Sequence, residues 1–338
     1  DTPTTPRALD LPGSASAVAW SPSGRELAVV LAPTSLVDDS YMARRVHIVD
    51  TDGESIIQRI NNPGKLGQIG FSPDGKHLAL ISGADLHDPR EGRLMIATLT
   101  GDGSLRDLLP DYEAHVSAFV WKNSETLVWL GNEGAETRIG TVTLSGESTT
   151  WLEPGTLIGA QLSLSHDGSV AGLVGHSSTH GPELFALRRK STRPRRLSRV
   201  NPSLENIRWA RQESIRWKAR DGLELEGVLI YPLNYLEGRR YPLIVAVHGG
   251  PEACESNGWL TSYSRPGQVA AARGFAVFYP NYRGSTGRGV EFSKLGQADA
   301  AGKEFDDLVD GVDHLIQAGV VDEKRVGITG GSYGGYAS

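Results

Sequence analysis

The residues of this chain best suited to chemistry stand in Gly330-Gly331-Ser332-Tyr333-Gly334-Gly335. They follow a short apolar run, Arg325-Val326-Gly327-Ile328-Thr329, so the stretch reads as strand, sharp turn, helix. In that context G-x-S-x-G forms a nucleophile elbow. The turn strains the serine backbone and leaves its hydroxyl clear of the sheet. Glycines two residues to either side let strand and helix pass without a Cβ clash. The backbone N–H after the serine, that of Tyr333, then points at the oxygen on which charge develops during acyl transfer. A second donor is needed for that oxyanion. It is expected from His248-Gly249-Gly250-Pro251, where glycines let backbone approach a substrate, and Gly250 is the expected donor. His248 lies on this oxyanion side and is expected to be a loop residue rather than the general base. Alone, each string also reads as an ordinary glycine-rich turn. Their order along the chain is what favours chemistry.

Residues 213–338, which carry these groups, alternate between strand and helix patterns. Ile215 to Arg220 and Leu223 to Ile230 alternate around Asp221-Gly222, a hairpin signal. Pro242 to Val247 is a continuous apolar run, as a strand buried on both faces requires, and it leads into His248. A helix is expected over Gln268 to Arg273, a strand over Phe275 to Tyr279, and a helix over Glu304 to Ala318. In the last, Phe305, Leu308, Val309, Val312, Leu315 and Ile316 share one face of a 3.6-residue period. This order predicts a mostly parallel sheet with right-handed crossovers, the layout of the N-terminal part of an α/β-hydrolase domain.

Residues 1–212 carry a different pattern. Four units each pair an alternating run, a turn and a β-rich run, with turn residues Gly24, Gly75, Ser124 and Gly168 recurring at intervals of 51, 49 and 44 residues. Such a period with about four strands per unit is the signature of propeller blades. A β-sandwich is the alternative, but a fixed repeat favours a β-propeller of about four blades, or part of a larger ring. A fifth start is read at Ile207-Arg208-Trp209. Asp38-Asp39, in the insertion between Leu31 and Arg45, could hold a substrate amine but reads first as a solvated pair.

Composition narrows the partners. The 338 residues have a net charge of −6, which gives no hint of nucleic-acid binding. The basic patches Arg188-Arg189-Lys190 and Arg193 to Arg196 read as a solvated hairpin. Cys254 is the single cysteine, so neither an intrachain disulfide nor a thiol metal site is expected, and the histidines lack metal-ligand spacing. No stretch of about 18 apolar residues suggests a membrane span. No cofactor is implied, and compartment is open between cytoplasmic, periplasmic and secreted.

Taken together, the C-terminal motifs resemble the prolyl oligopeptidase family of serine peptidases, nearest its acylaminoacyl-peptidase and dipeptidyl-peptidase-like branches. The resemblance rests on Ala219-Arg220-Asp221-Gly222, Val247 to Pro251, Asn281-Tyr282-Arg283-Gly284-Ser285 with Gly287, and Gly330 to Tyr336, over about residues 213–338. It implies a peptide substrate, Ser332 as the nucleophile of an acyl-enzyme, and the Tyr333 and Gly250 amides as oxyanion hole. Arg283 matches a loop arginine near the site, a substrate-binding candidate whose role stays open between substrate contact and loop structure. The resemblance also implies a propeller that restricts access to short peptides. An esterase on the same fold and a non-catalytic propeller binding protein are the alternatives. Two departures stand out: only six residues follow Ser332, none acidic or histidine, and about four repeats stand where the family usually has seven blades. The expectation is a chain truncated at both ends, nearly inactive alone, with the rest of the enzyme or a second copy as possible partner.

Overall fold

The computed structural model describes residues 8–338. The first repeat is a four-stranded antiparallel sheet of β1 (Ser14–Trp20), β2 (Glu26–Ala32), β3 (Arg45–Asp50) and β4 (Ser55–Ile60), with a short helix α1 (Val37–Met42) in the β2–β3 insertion. The second is the antiparallel set β5 (Leu66–Phe71), β6 (His77–Ser82), β7 (Arg93–Thr98) and β8 (Leu105–Asp107). The third contains β9 (His115–Asn123), β10 (Thr126–Glu133), β11 (Glu136–Thr143) and β12 (Ser148–Leu152), again neighbours in chain order. The fourth contains β13 (Ile158–Leu164), β14 (Val170–Ser177), β15 (His180–Arg188) and a two-residue β16 (Arg195–Arg196), antiparallel throughout. Four sheets of four strands are thus present, as the repeat period requires. The basic patches lie at the β15–β16 hairpin.

One turn device recurs in three of the repeats. Gly24, Gly75 and Gly168 take φ of +72°, +73° and +65°, and each N–H donates to the carbonyl of the serine three residues earlier, at 3.0, 2.9 and 2.8 Å. The same serines, Ser21, Ser72 and Ser165, accept through Oγ from the N–H five residues on, at 3.1, 3.0 and 3.0 Å. A β-carbon would be strained at that positive φ, which explains the glycine. The first two sheets bury Val30, Ile48, Leu66, Leu78 and Leu80 in one core. Val128, Leu130, Ile139, Leu173 and Phe185 form another core between the third and fourth sheets. The fifth start fails: after a 3-10 turn at Pro202–Asn206, residues 207–209 form no strand, and Trp209 packs edge-on against Trp259 at 5.3 Å.

The chain divides into two compact units, Asp1–Pro110 with Trp121–Leu127 and Val142–Glu147, and Asp111–Val120 with Val128–Thr141 and Ser148–Ser338. The second unit holds the fifth sheet: β17 (Gln212–Lys218), β18 (Glu224–Ile230), β19 (Tyr241–Val247), β20 (Ala276–Asn281) and β21 (Val321–Gly330), in spatial order β17-β18-β20-β19-β21. Its β19–β20 and β19–β21 ladders are parallel; β17–β18 and β18–β20 are antiparallel. The sheet is therefore mixed rather than mostly parallel, because the Asp221-Gly222 hairpin reverses the chain and sets β18 against β20 in the opposite sense. Helices α2 (Gly267–Ala272), α3 (Val290–Lys294), α4 (Lys303–Gln317) and α5 (Tyr333–Tyr336) complete this region.

Over β18, β20 and β19 both faces of the sheet are covered. On one, Leu229, Leu243, Val245 and Phe278 pack with Leu308 and Leu315 of α4. On the other, Val228, Ile230, Val277 and Tyr279 pack with Ala270 and Ala271 of α2. The α4 stripe differs from expectation at Val309, which is half exposed, while Gly311 is buried against the Phe278 ring, where a Cβ would approach to 2.8 Å. The chain leaves β19 for β20 on one side and returns to β21 on the other. The carboxyl ends of β19 and β21 lie at that reversal, the usual place for a ligand in a sheet of this kind. Among the described residues no helix is long and apolar enough to cross a membrane.

Candidate active site

Ser332 sits between β21 and α5 with φ +55° and ψ −124°, one of few non-glycine residues at positive φ. A bulkier backbone neighbourhood would not allow this turn. A Cβ on Gly330 would lie 2.4 Å from Gly334 carbonyl atoms and 2.7 Å from the Val247 carbonyl oxygen; one on Gly334 would lie 2.1 Å from that oxygen. The two glycines flanking Ser332 therefore let β21, α5 and the end of β19 converge. Parallel pairing of Val247 with Gly330 fixes the height at which the two strands end.

That register brings the two sequence motifs together. A Cβ on Gly249 would stand 3.0 Å from Ser332 Cβ, 3.7 Å from its Oγ and 2.9 Å from the Gly331 carbonyl oxygen. Gly250 follows at φ +130°, a conformation that an L side chain rarely adopts. Among the described residues, neither the Tyr333 nor the Gly250 N–H donates to an acceptor, and the Ser332 hydroxyl has no hydrogen-bond partner. Free N–H groups beside an exposed hydroxyl are the elements that acyl transfer uses.

The loop carrying Gly249 and Gly250 is held by His248. Its Nδ1 pairs with the Gly249 carbonyl at 2.8 Å and its Nε2 with Ser285 Oγ at 3.0 Å, while Tyr282 OH donates to the His248 carbonyl at 2.9 Å. The Tyr282 ring stacks on the imidazole at 4.4 Å. Nδ1 must carry the proton that meets a carbonyl, so Nε2 accepts from Ser285. Burial pulls the imidazole pKa down to about 4, so it is neutral at pH 7. His248 is a loop residue, as its position after β19 suggested.

Arg283, the substrate-binding candidate, is instead fully committed within the protein. Its backbone N–H and Nε donate to Asp307 Oδ2 at 2.9 and 2.8 Å, and Nη2 donates to Asp307 Oδ1 at 2.7 Å. Nη1 and Nη2 reach the two Asp221 oxygens at 2.8 and 3.1 Å. Arg283 and Asp307 are buried, with Asp307 fully so. Asp307 chiefly, with Asp221, raises the guanidinium pKa, and Arg283 in turn holds the Asp221 carboxyl down to about 2. Of the two open roles, this geometry is that of loop structure. Asp221 enters the sequence reading in the hairpin and in the family resemblance, and Asp307 does not enter it at all.

The Tyr333 side chain is tied to α4. Its hydroxyl donates to Glu304 Oε1 at 2.5 Å, and Glu304 also accepts from the Ala301 N–H at 2.5 Å and the Gly302 N–H at 3.2 Å. Glu304 thereby ties the residues leading into α4 to the elbow. Burial, with Glu304 second, pushes the Tyr333 phenol up to about 12. The acidic pair of the insertion lies in the first turn of α1, where Asp39 accepts from the Thr34 hydroxyl at 2.5 Å. It is used locally. No group of three or more potential metal ligands occurs among the described residues.

Residues 261–338 match the prolyl oligopeptidase family. A peptidase of Bacillus subtilis described as uncharacterized, YuxL, is 40% identical over 125 residues, 37% of this chain and 18% of its own. Dipeptidyl aminopeptidase BIII of Pseudoxanthomonas mexicana is 35% identical over 173 residues, 49% of this chain and 24% of its own. In fold, acylaminoacyl peptidase of Pyrococcus horikoshii superposes with a TM-score of 0.66 at 20% identity, over 96% of this chain and 60% of its own. The chain spans less than half the length of curated relatives such as these two. The stretch similar to the prolyl oligopeptidase family, residues 261–338, contains β20, α4 and the Ser332 elbow.

Proposed function

We propose that the protein is a serine peptidase that cleaves short peptides through an acyl-enzyme on Ser332, with the Tyr333 and Gly250 amides binding the oxyanion. The observation that carries this reading is the strained Ser332 turn packed against Gly249 at the carboxyl ends of β19 and β21. The relatives' names support peptides as substrates, and both dipeptides and acylated amino acids fit the reading. Residues 1–212 act in it as a propeller-like filter and residues 213–338 as an α/β-hydrolase module. Arg283 orders the loop between β20 and α3 rather than touching substrate.

A serine of ordinary pKa attacks slowly without a base. Among the described residues none is hydrogen-bonded to Ser332 Oγ, so the 338-residue polypeptide by itself is expected to turn over little substrate. The outer strand β21 favours a further partner for the sheet: its residues from Glu323 onward are exposed, including Val326 at 39% and Ile328 at 44%. Strands paired in parallel, as β21 is with β19, are normally covered on both faces.

The test is to label the complete gene product with a fluorophosphonate and compare hydrolysis of acyl-aminoacyl, dipeptidyl and short-chain ester substrates. Labelling at Ser332 with peptide turnover is expected. Turnover of esters alone would make it an esterase, and no labelling at all would leave a binding protein.

A further inference from the structure

The stretch from Asn281 to Ser285 grips the segment that carries Gly250 at both of its ends. At the near end Tyr282 OH donates to the His248 carbonyl at 2.9 Å, and Ser285 Oγ donates to His248 Nε2 at 3.0 Å. At the far end Asn281 Oδ1 accepts from the Glu255 N–H at 2.7 Å, and Asn281 Nδ2 donates to the Glu255 carbonyl at 3.0 Å. The Thr286 N–H adds a bond to the Ala253 carbonyl at 3.0 Å. Asn281, Tyr282 and Ser285 are all buried. Arg283, between them, is locked on Asp307, so the grip is itself anchored to α4.

Between the two ends, among the described residues, one bond fixes the peptide that joins Gly249 to Gly250: His248 Nδ1 donates to the Gly249 carbonyl at 2.8 Å. A trans peptide is planar, and its C=O and N–H point in opposite directions. Holding the Gly249 carbonyl toward the buried imidazole therefore turns the Gly250 N–H away from it, to the open side. Glycine on both sides leaves that peptide little resistance to rotation. Turned over, it would present a carbonyl oxygen where an oxyanion needs a donor.

We propose that Ser285 and Tyr282 are positioning residues for the Gly250 N–H, acting through His248. Neither is bonded to Ser332. Ser285 gives the buried Nε2 its donor, which leaves Nδ1 to carry the proton that holds the Gly249 carbonyl. Tyr282 fixes the preceding peptide through the His248 carbonyl and the ring plane by stacking at 4.4 Å. Loss of either bond lets the imidazole shift, and the Gly249–Gly250 peptide with it. The inference rests on the reading of Gly250 as an oxyanion donor for acyl transfer at Ser332.

The test is the labelling of Ser332 by a fluorophosphonate in the complete protein, resolved into the half-saturating concentration and the rate constant at saturation. In Ser285→Ala and Tyr282→Phe the rate constant should fall by about tenfold or more, since displacements near 1 Å can cost about a hundredfold, while half-saturation stays within about twofold. Ser285→Thr keeps a hydroxyl and should recover most of the rate. A role in stability alone would lower the fraction of molecules that label and leave the rate constant of the rest unchanged; that result overturns the proposal and leaves the peptidase reading standing. A wild type that does not label overturns both. If Ser285→Ala does not fold, Tyr282→Phe, which loses one oxygen and keeps the ring stack, decides.

Discussion

Gly249 and Ser332 come from strands that end 83 residues apart in the chain, yet a Cβ on Gly249 would touch the Ser332 Cβ at 3.0 Å and the Gly331 carbonyl at 2.9 Å. The two backbones are in contact because β19 and β21 pair in parallel with Val247 opposite Gly330. In Gly249→Ala the loop must move off the elbow by some tenths of an ångström. Since displacements near 1 Å can cost about a hundredfold in rate, fluorophosphonate labelling of Ser332 in the complete protein should slow by about tenfold or more. Global stability should change much less. Equal labelling rates in mutant and wild type would show that this contact does not set the site.

Gly334→Ala should act on folding rather than on rate alone. Its Cβ would fall 2.1 Å from the Val247 carbonyl oxygen and 2.8 Å from its carbon, so β19 and α5 must separate. Overpacking of this kind costs about 1–3 kcal/mol, and more where backbone rather than side chain must yield. Urea unfolding should show a loss at the upper end of that range.

The Arg283 fork makes unequal demands on its two carboxylates. Asp307→Ala leaves a buried guanidinium with its main partner gone and should cost about 3–5 kcal/mol. Asp221 is 38% exposed, so water can replace it, and Asp221→Ala should cost about 1 kcal/mol. The Asp221 contribution is present above its ordinary value near 3.8 and is lost as pH falls through about 2. Comparing urea midpoints of the two variants checks the order.

Acid should destabilise the fold earlier than that. His248 and His176 are both held neutral by burial, each with pKa drawn from 6.5 down to about 4. His176 Nδ1 accepts from the Trp259 N–H at 2.8 Å, a bond available only to the unprotonated nitrogen. A depressed value means that stability is complete above pH 6.5 and drains as pH falls toward 4. For His248 alone the loss over that window is on the order of 3 kcal/mol. Unfolding free energies at pH 7.5 and 4.5 should differ by less in His248→Gln than in wild type.

Tyr333→Phe separates the side chain from the amide. It removes the hydroxyl donor to buried Glu304 and keeps the backbone N–H beside Ser332. Stability should fall by about 1–3 kcal/mol, the cost of an unpaired buried partner. Labelling of Ser332 in folded protein should change less than in Gly249→Ala.

Much of this was written in the chain itself. The four repeat turns, the strand–turn–helix around Ser332 and the apolar run into His248 are local patterns, and local patterns follow from sterics and solvent exposure alone. A tight turn needs its glycine and a doubly buried strand needs its apolar run, whatever surrounds them. The contacts that complete the site are of another kind. Arg283 meets Asp221, 62 residues away, and Asp307, 24 residues away, and nothing in the spacing of those acids distinguishes them from solvated ones. Ser285 under His248 and Glu304 under Tyr333 depend on strand order and register. The mixed sense of the fifth sheet depends on them too. Periodicity shows which side of a strand is apolar. Only folding decides which strand lies next to it, because that choice is made by packing between residues far apart in the chain.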